Sequence, residues 1–586
     1  MKANIQIRPL LMVVAILLFS CTNTRDGEPS TPGKPNVILF LVDDVGYGDV
    51  SLHGNPHLQT PNLDRFAKEG VEFSSFYVSP ACSPTRASLL TGRYNFRTKN
   101  TDVGAMSSYM SPDEITIAEL LKSEGYRTAM FGKWHLGETY PLCPSNQGFD
   151  EVVWHHFCNI TDDYPVGTSY FSPHLFHNGQ LQPYEGYCMD IYAREAIRFM
   201  EHSVNEGQPF FIYLPATLAH VPLQVPEEYY LPFVEMGISE ETSRAYGMIK
   251  SIDENFGRLL GTLDQLRVRE NTLVIFLSDN GHSSQDLDRY HAGLRGLKGF
   301  MYEGGVKVPC FMQLPAVLER GTIVETHAAH IDILPTILDL CQIPVPGSYT
   351  IDGKSLKPLA TGNSDPWPDR NIYIQWSMGN NSEPYRHLMV RTNRYKLVQE
   401  DVQGHSKARL EVHYEWCREH GYTDYVLSDS LDFELYDIRN DPFETVNLAD
   451  RHPGVVEKLK REYLAWYNDV YSTRGFNRPV LKLNSDKENP VVLTSNFWLK
   501  PRQWDMVVET PGLFDVTVYW GNLPVDRPEK LYLKIGDRQY QHDIGQPVGS
   551  HLFRNIEIPP GYHGIKSWID DEQMKLSITT VLNKTG

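Results

Sequence analysis

The chain has 586 residues, room for several domains at a soft ~150 residues each and for a sizeable core. Hydrophobic residues make up 41% and charged residues 22%, with 43 Gly and 39 Pro, which excludes collagenous, coiled-coil and wholly disordered chains. The net charge of −19 repels nucleic acid and anionic membranes at long range, so an anionic substrate requires a local cationic pocket.

Lys2 and Arg8 precede an apolar run, Leu10 to Phe19, that is too short to span a bilayer but suits the core of a signal peptide over residues 1–20. Leu18-Phe19-Ser20-Cys21 resembles a bacterial lipobox, in which cleavage leaves Cys21 as the lipidated N-terminus; a plain secretory signal is the alternative. Residues 21–35 read as a flexible tether. The expectation is an exported lipoprotein of a Gram-negative bacterium, periplasmic or outer-membrane, touching the membrane only through its anchor. No later segment is long and apolar enough to cross a bilayer. Apart from Cys21 and Cys82, the cysteines at 143, 158, 188, 310, 341 and 417 are scattered without C-x-x-C spacing, which argues against a zinc ribbon.

From Asn36, near-continuous apolar runs (Val37 to Val42, Thr128 to Gly132, Phe210 to Ala216, Leu273 to Leu277) alternate with helical segments. The helices are expected over Thr116 to Ser123, after the capping-type Ser111 to Glu114, then Met189 to His202 and Glu240 to Leu266. This predicts an α/β domain over 36–365, built on a large, mostly parallel sheet flanked by helices. Over 366–478, strand-like pieces (Ile372 to Gln375, His387 to Arg391, Tyr395 to Val398, Phe433 to Tyr436) precede one helix, Val455 to Asn468, predicting a smaller antiparallel sheet with a helix. Over 479–586 the helical period disappears, and regularly spaced β-branched runs predict a β-sandwich.

Polar residues gather where these strands end. Asp43 and Asp44 follow the first, Lys133 and His135 the second, His220 the third, Asp279 and Asn280 the fourth. Carboxyl ends of parallel strands share one edge, where ligand crevices form. Ordinary capping explains any one of these residues, but not all four strands. Asp43, Asp44, Asp279 and Asn280 are oxygen donors suited to a hard divalent cation, Ca²⁺ ahead of Mg²⁺. Lys133, His135, His220 and Lys298, in the Gly-rich stretch 293–305, can place positive charge or move protons around a tetrahedral anion. His282, His291 and His330 read as structural. Pro84 fits the first turn of a helix running through Leu90, which sets Cys82 at its N-terminal end, where a thiol is expected to be acidic.

The stretch Cys82-Ser83-Pro84-Thr85-Arg86, followed by Ala87-Ser88-Leu89-Leu90-Thr91-Gly92-Arg93, resembles the type I sulfatase signature within the alkaline phosphatase superfamily. The resemblance extends through Thr60 to Asp64, Gly132 to Gly137, Ser278 to Gly281, Gly299 to Pro309 and Asn440 to Pro442, covering roughly 36–475. It implies that Cys82 is converted to Cα-formylglycine by a formylglycine-generating or anaerobic maturating enzyme, and that the aldehyde hydrate attacks sulfur. It further implies Ca²⁺ held by Asp43, Asp44, Asp279, Asn280 and formylglycine-82. Arg86 would steady the hydrate, and Lys133 and Lys298 would clamp sulfate. His220 would protonate the leaving alcohol, and His135 would assist sulfate expulsion. Trp154, His155 and His156 lie where the family carries substrate contacts. His282 in place of a second Gly, and Gly296-Leu297-Lys298-Gly299 in place of Gly-Gly-Lys, depart from the pattern.

The expected function is an exported sulfatase acting on a sulfated carbohydrate, an algal polysaccharide such as ulvan or carrageenan first, host glycosaminoglycan or mucin glycan next. A phosphonate or phosphate diester hydrolase of the same superfamily is the competing enzyme. A non-catalytic glycan-binding lipoprotein is the competing binding protein. No nucleic-acid partner is expected.

Overall fold

The structure is a computed structural model. It describes residues 33–104, 107–156, 169–283, 289–347, 349–362, 367–377, 382–400, 432–474, 480–484, 486–495, 503–520, 529–546, 549–569 and 578–585, with isolated positions at 410, 415 and 418. The expected signal peptide, Cys21, most of the expected tether, Cys158 and Cys417 lie outside the described residues.

Among the described residues ten strands form the main sheet, with Thr272–Ser278, Asn36–Val42, Phe210–Pro215, Arg127–Lys133 and Glu151–His155 as five consecutive parallel neighbours at its centre. Cys310–Gln313 pairs antiparallel beside this group on one side and His174–His177 on the other, so the sheet is mixed at its margins. Alternation along one central strand shows why it is buried on both faces. Val37, Leu39 and Leu41 enter one hydrophobic core while Ile38, Phe40 and Val42 enter the other. Helices Cys82–Thr91, Ile117–Ser123 and Ile333–Leu340 cover the first face. Pro61–Lys68, Cys188–Asn205 and Glu240–Gln265 cover the second. The capping expected at Ser111 to Glu114 is made instead by Thr116, whose hydroxyl accepts from Glu119 N while Glu119 accepts from Thr116 N.

A four-stranded antiparallel sheet (Ile372–Gln375, Leu388–Arg391, Tyr395–Gln399, Glu434–Asp437) packs with the helix Pro453–Ser472. Among the described residues beyond 480, five strands in one sheet and four in another enclose a further core. Among the described residues Cys82, Cys143, Cys188, Cys310 and Cys341 are free thiols, and no helix is long and apolar enough to cross a membrane.

Candidate active site

Parallel pairing of Asn36–Val42 with Thr272–Ser278 brings Val42 opposite Ser278, so Asp43-Asp44 and Asp279-Asn280 leave the sheet side by side. Backbone bonds hold them: Asp43 N donates to Leu218 O at 2.8 Å and Asp279 N to Val42 O at 3.0 Å. Asp44 takes a left-handed conformation, φ 57°, and His135 likewise at 60°. Non-glycine residues held in that region mark places where surrounding structure dictates geometry. Gly281 is required sterically, since a Cβ there would lie 1.8 Å from Gly304 O.

The helix Cys82–Thr91 begins at Cys82, with Pro84 in its first turn, and ends at Gly92, φ 66°, as a left-handed cap. Helix geometry turns Arg86, one turn on, into the same buried space. Its Nε and Nη2 donate to Asp279 Oδ2 at 3.0 and 2.6 Å, and Nη1 donates to Lys133 O at 2.9 Å. Lys133 Nζ donates to Asp43 Oδ2 and Lys298 Nζ to Asp44 Oδ1, both at 2.5 Å. Asn280 Nδ2 donates to Asp44 Oδ1 at 2.7 Å. His135 Nε2 donates to Val103 O at 2.9 Å, leaving Nδ1 3.2 Å from the Cys82 sulfur, where it accepts from the thiol. His220 Nδ1 donates to Val221 O at 2.8 Å.

Three oxygens of this cluster, Asp43 Oδ1, Asp44 Oδ2 and Asn280 Oδ1, are buried without a hydrogen-bond partner. Single ligand atoms of Asp43, Cys82 and Asp279 fall within 4.8 Å of one another, as do those of Asp43, Asp44 and His220. Unpaired buried oxygens are costly unless a cation or donor completes them, so this donor set fits a hard divalent ion.

The electrostatics follow from burial and pairing. Burial pushes the Asp43 carboxyl up, but Lys133, His220 and Arg86 together bring it below the ordinary value. Burial raises Asp44 in the same way, but Lys298 and His220 bring it well below the ordinary value. Asp279, buried and repelled by Asp43, rises to about 7 despite Arg86. Burial, with Lys298 and Lys133 nearby, lowers His220 to about 4. The expected acidic thiol is not found: burial of Cys82 outweighs Lys133 and Lys298, and its pKa is raised.

All of the expected nucleophile, cation and metal-donor residues therefore converge. Trp154, His155 and His156 are buried at 4%, 0% and 1% exposure. Trp154 sits in the sheet core, His155 pairs with Tyr192 Oη at 3.3 Å, and His156 stacks on Phe176. His282 and His291 stack at 6.4 Å, and His330 lies 3.4 Å from Ser79 Oγ.

Sequence reasoning missed two supports. Arg289, fully buried, donates to Asp49 through Nε and Nη2, each at 2.7 Å, and through Nη2 to Asp44 O at 2.8 Å. The only advance signal was an Asp in the turn Gly46-Tyr47-Gly48-Asp49. The strand-rich C-terminal region also buttresses the loop after Lys133: Thr139 Oγ1 donates to Val492 O and Tyr140 N to Glu488 Oε2, while Trp134 Nε1 closes the loop on itself by donating to Leu142 O.

Comparison with known proteins places this geometry. The family profile described as Sulfatase matches residues 35–343, and that described as N-sulphoglucosamine sulphohydrolase, C-terminal, matches 296–407. Human N-acetylgalactosamine-6-sulfatase is 32% identical over 57% of this chain and 67% of its own length. Human arylsulfatase A is 30% identical over 73% of this chain and 86% of its own. Among solved structures, Ps i-CgsB in complex with k-i-k-neocarrahexaose superposes with a TM-score of 0.64 at 27% identity, over 76% of this chain and 95% of that one. The chain belongs to the sulfatase family and is a sulfuric ester hydrolase with an alkaline phosphatase-like fold.

Proposed function

We propose that the chain removes sulfate from a sulfated carbohydrate, with algal polysaccharides or oligosaccharides of ulvan or carrageenan type first and glycosaminoglycan or mucin glycans next. The likeness to a protein solved with neocarrahexaose supports that order. The observation that carries the chemistry is the meeting of residue 82, two ammonium groups, two imidazoles and three unpartnered oxygens in one buried cluster.

Asp43, Asp44, Asp279, Asn280 and residue 82 would hold a divalent cation, Ca²⁺ ahead of Mg²⁺, which when bound draws the charge developing on sulfate oxygens. Conversion of Cys82 to formylglycine supplies a hydrate oxygen as nucleophile, and the Cys82 sulfur marks where that oxygen sits. The raised thiol pKa agrees with chemistry that does not run through a thiolate. Arg86, fixed on Asp279 and the Lys133 carbonyl, holds the floor beneath residue 82. Lys133 and Lys298 present cations to sulfate. His135 turns Nδ1 toward residue 82 to exchange its proton. His220, oriented through Nδ1, has Nε2 to pass a proton to the leaving alcohol. Burial first, then Lys298 and Lys133, hold His220 neutral; sulfate bound between the two lysines offsets the lysine contribution and so raises its affinity for that proton.

Export as a lipoprotein anchored at Cys21, maturation by a formylglycine-forming enzyme, and division near residues 365 and 478 complete the reading. The test is sulfate release from a panel of defined sulfated oligosaccharides, with mass spectrometry of the residue-82 peptide. Active protein should carry formylglycine, and Cys82→Ala should fold without turnover. Full specific activity from wholly unmodified Cys82 would sink the proposed nucleophile. Ca²⁺ should raise the thermal midpoint, and Asn280→Ala should weaken that response.

A further inference from the structure

The two sheets beyond residue 480 have unequal surroundings. The four-stranded sheet sends Val492 and Val581 into the core of the α/β layer, with Tyr519 packed beside them. The five-stranded sheet buries Leu531, Leu533, Ile565 and Met506 toward its partner sheet. Strand alternation then turns Lys530, Tyr532, Lys534, Lys566 and Trp568 to the opposite face, where Lys530 and Lys534 are exposed and the other three half-buried. Antiparallel register sets Tyr532 opposite Trp568 and Lys534 opposite Lys566. The two rings stack at 5.0 Å with planes 15° apart, and Lys566 Nζ lies 5.0 Å from the centre of the Trp568 ring. Gln541 stands across from Tyr532; Asp543, across from Lys530, and Asp505, on the strand paired beside Lys566, are acidic neighbours.

Three ammonium groups around one aromatic pair is a local reversal of sign in a chain of net charge −19. The exposed atoms of this half-buried stacked pair offer apolar contact to the C–H groups of pyranose rings, and ammonium groups spaced along strands accept anions. We propose that this outer face, centred on Tyr532 and Trp568, binds a sulfated polysaccharide at a site separate from the active centre. The identity of the occupant rests on the carbohydrate reading of the active site. The rest of the surface repels a polyanion and this face retains it, which keeps the active centre at high effective concentration of sulfate esters.

The test uses the intact protein in affinity gel electrophoresis against ι-carrageenan, with neutral dextran and double-stranded DNA as comparison polymers. The parent should be retarded by carrageenan, more weakly as salt rises, and not by dextran. Tyr532→Ala with Trp568→Ala, and separately Lys534→Gln with Lys566→Gln, should each weaken retention about tenfold. Trp568→Phe should keep most of it. All should hydrolyse 4-nitrocatechol sulfate with unchanged kcat/KM. Retention equal to the parent in both double variants would overturn the proposal, as would equally strong retention by DNA. Loss of retention in both double variants, in a protein that desulfates no saccharide of the panel, would uphold this surface while removing the proposed substrate.

Discussion

Arg289→Met separates the two tasks assigned to a side chain outside the family motif. In the variant, the buried Asp49 carboxylate keeps the Gly46 amide at 2.6 Å but loses two guanidinium bonds of 2.7 Å. Removing one partner of a buried ion pair costs about 3–5 kcal/mol, because the other charge stays buried. At about 2.1 cal/mol/K of unfolding entropy per residue over the compact unit 34–586, that corresponds to a fall of roughly 3–4 °C in thermal midpoint. Asp49→Asn keeps an acceptor for Gly46 and removes the charge, so the double variant should recover to within about 1–2 kcal/mol of the parent. The second task is local. The Asp44 carbonyl loses its donor at 2.8 Å, and Asp44 carries both the left-handed backbone and an unpartnered oxygen. Ca²⁺ affinity should therefore fall about tenfold, roughly 1.4 kcal/mol, in the single and double variants alike. Differential scanning fluorimetry measures the first effect and isothermal titration calorimetry the second. If single and double variants were equally unstable, lost packing rather than uncompensated charge would explain the cost. Parent-like Ca²⁺ affinity in both would end the positioning role.

Three further outcomes are expected. His220→Ala should slow desulfation of saccharides, whose alcohols leave poorly, by ~10² to 10⁴ while sparing an activated aryl sulfate, whereas Arg86→Ala should damage both; an equal loss on both substrates for His220→Ala would reassign it to sulfate binding. Glu444, buried and repelled by Glu303 though paired with Lys396, is raised from 4.5 to about 7. The folded state thus holds a proton that the unfolded chain releases, and this contribution, full below about 4.5, is lost as pH rises through about 7. Glu444→Gln should flatten the fall in thermal midpoint between about pH 4.5 and 7, and an unchanged slope would refute that origin. Gly281→Ala, whose Cβ would meet Gly304 O at 1.8 Å, should cost at least about 1–3 kcal/mol and weaken Ca²⁺ binding through the adjacent Asn280; normal thermal unfolding would show that the Gly304 turn can move.

Central strands buried on both faces declare themselves in sequence, because every position must be apolar; thus Val37 to Val42 was legible and lies within the observed strand Asn36–Val42. Ionisable residues stood out at the ends of such strands for the same reason, and parallel topology made their convergence deducible before any contact was known. Solvent-facing strands were harder. Arg538–Ile544 and Gly561–Ile569 carry polar residues on one side and went unmarked, since half their positions have no burial to satisfy. Local sequence determined that Cys82 begins a helix; only the tertiary structure decided its acidity, because burial is a property of everything packed around the thiol. Arg289 met Asp49 and Asp44 across about 240 residues, a pairing no local pattern encodes. The facing of Tyr532 and Trp568 likewise came from strand register, which places side chains on a common face only once the sheet has formed.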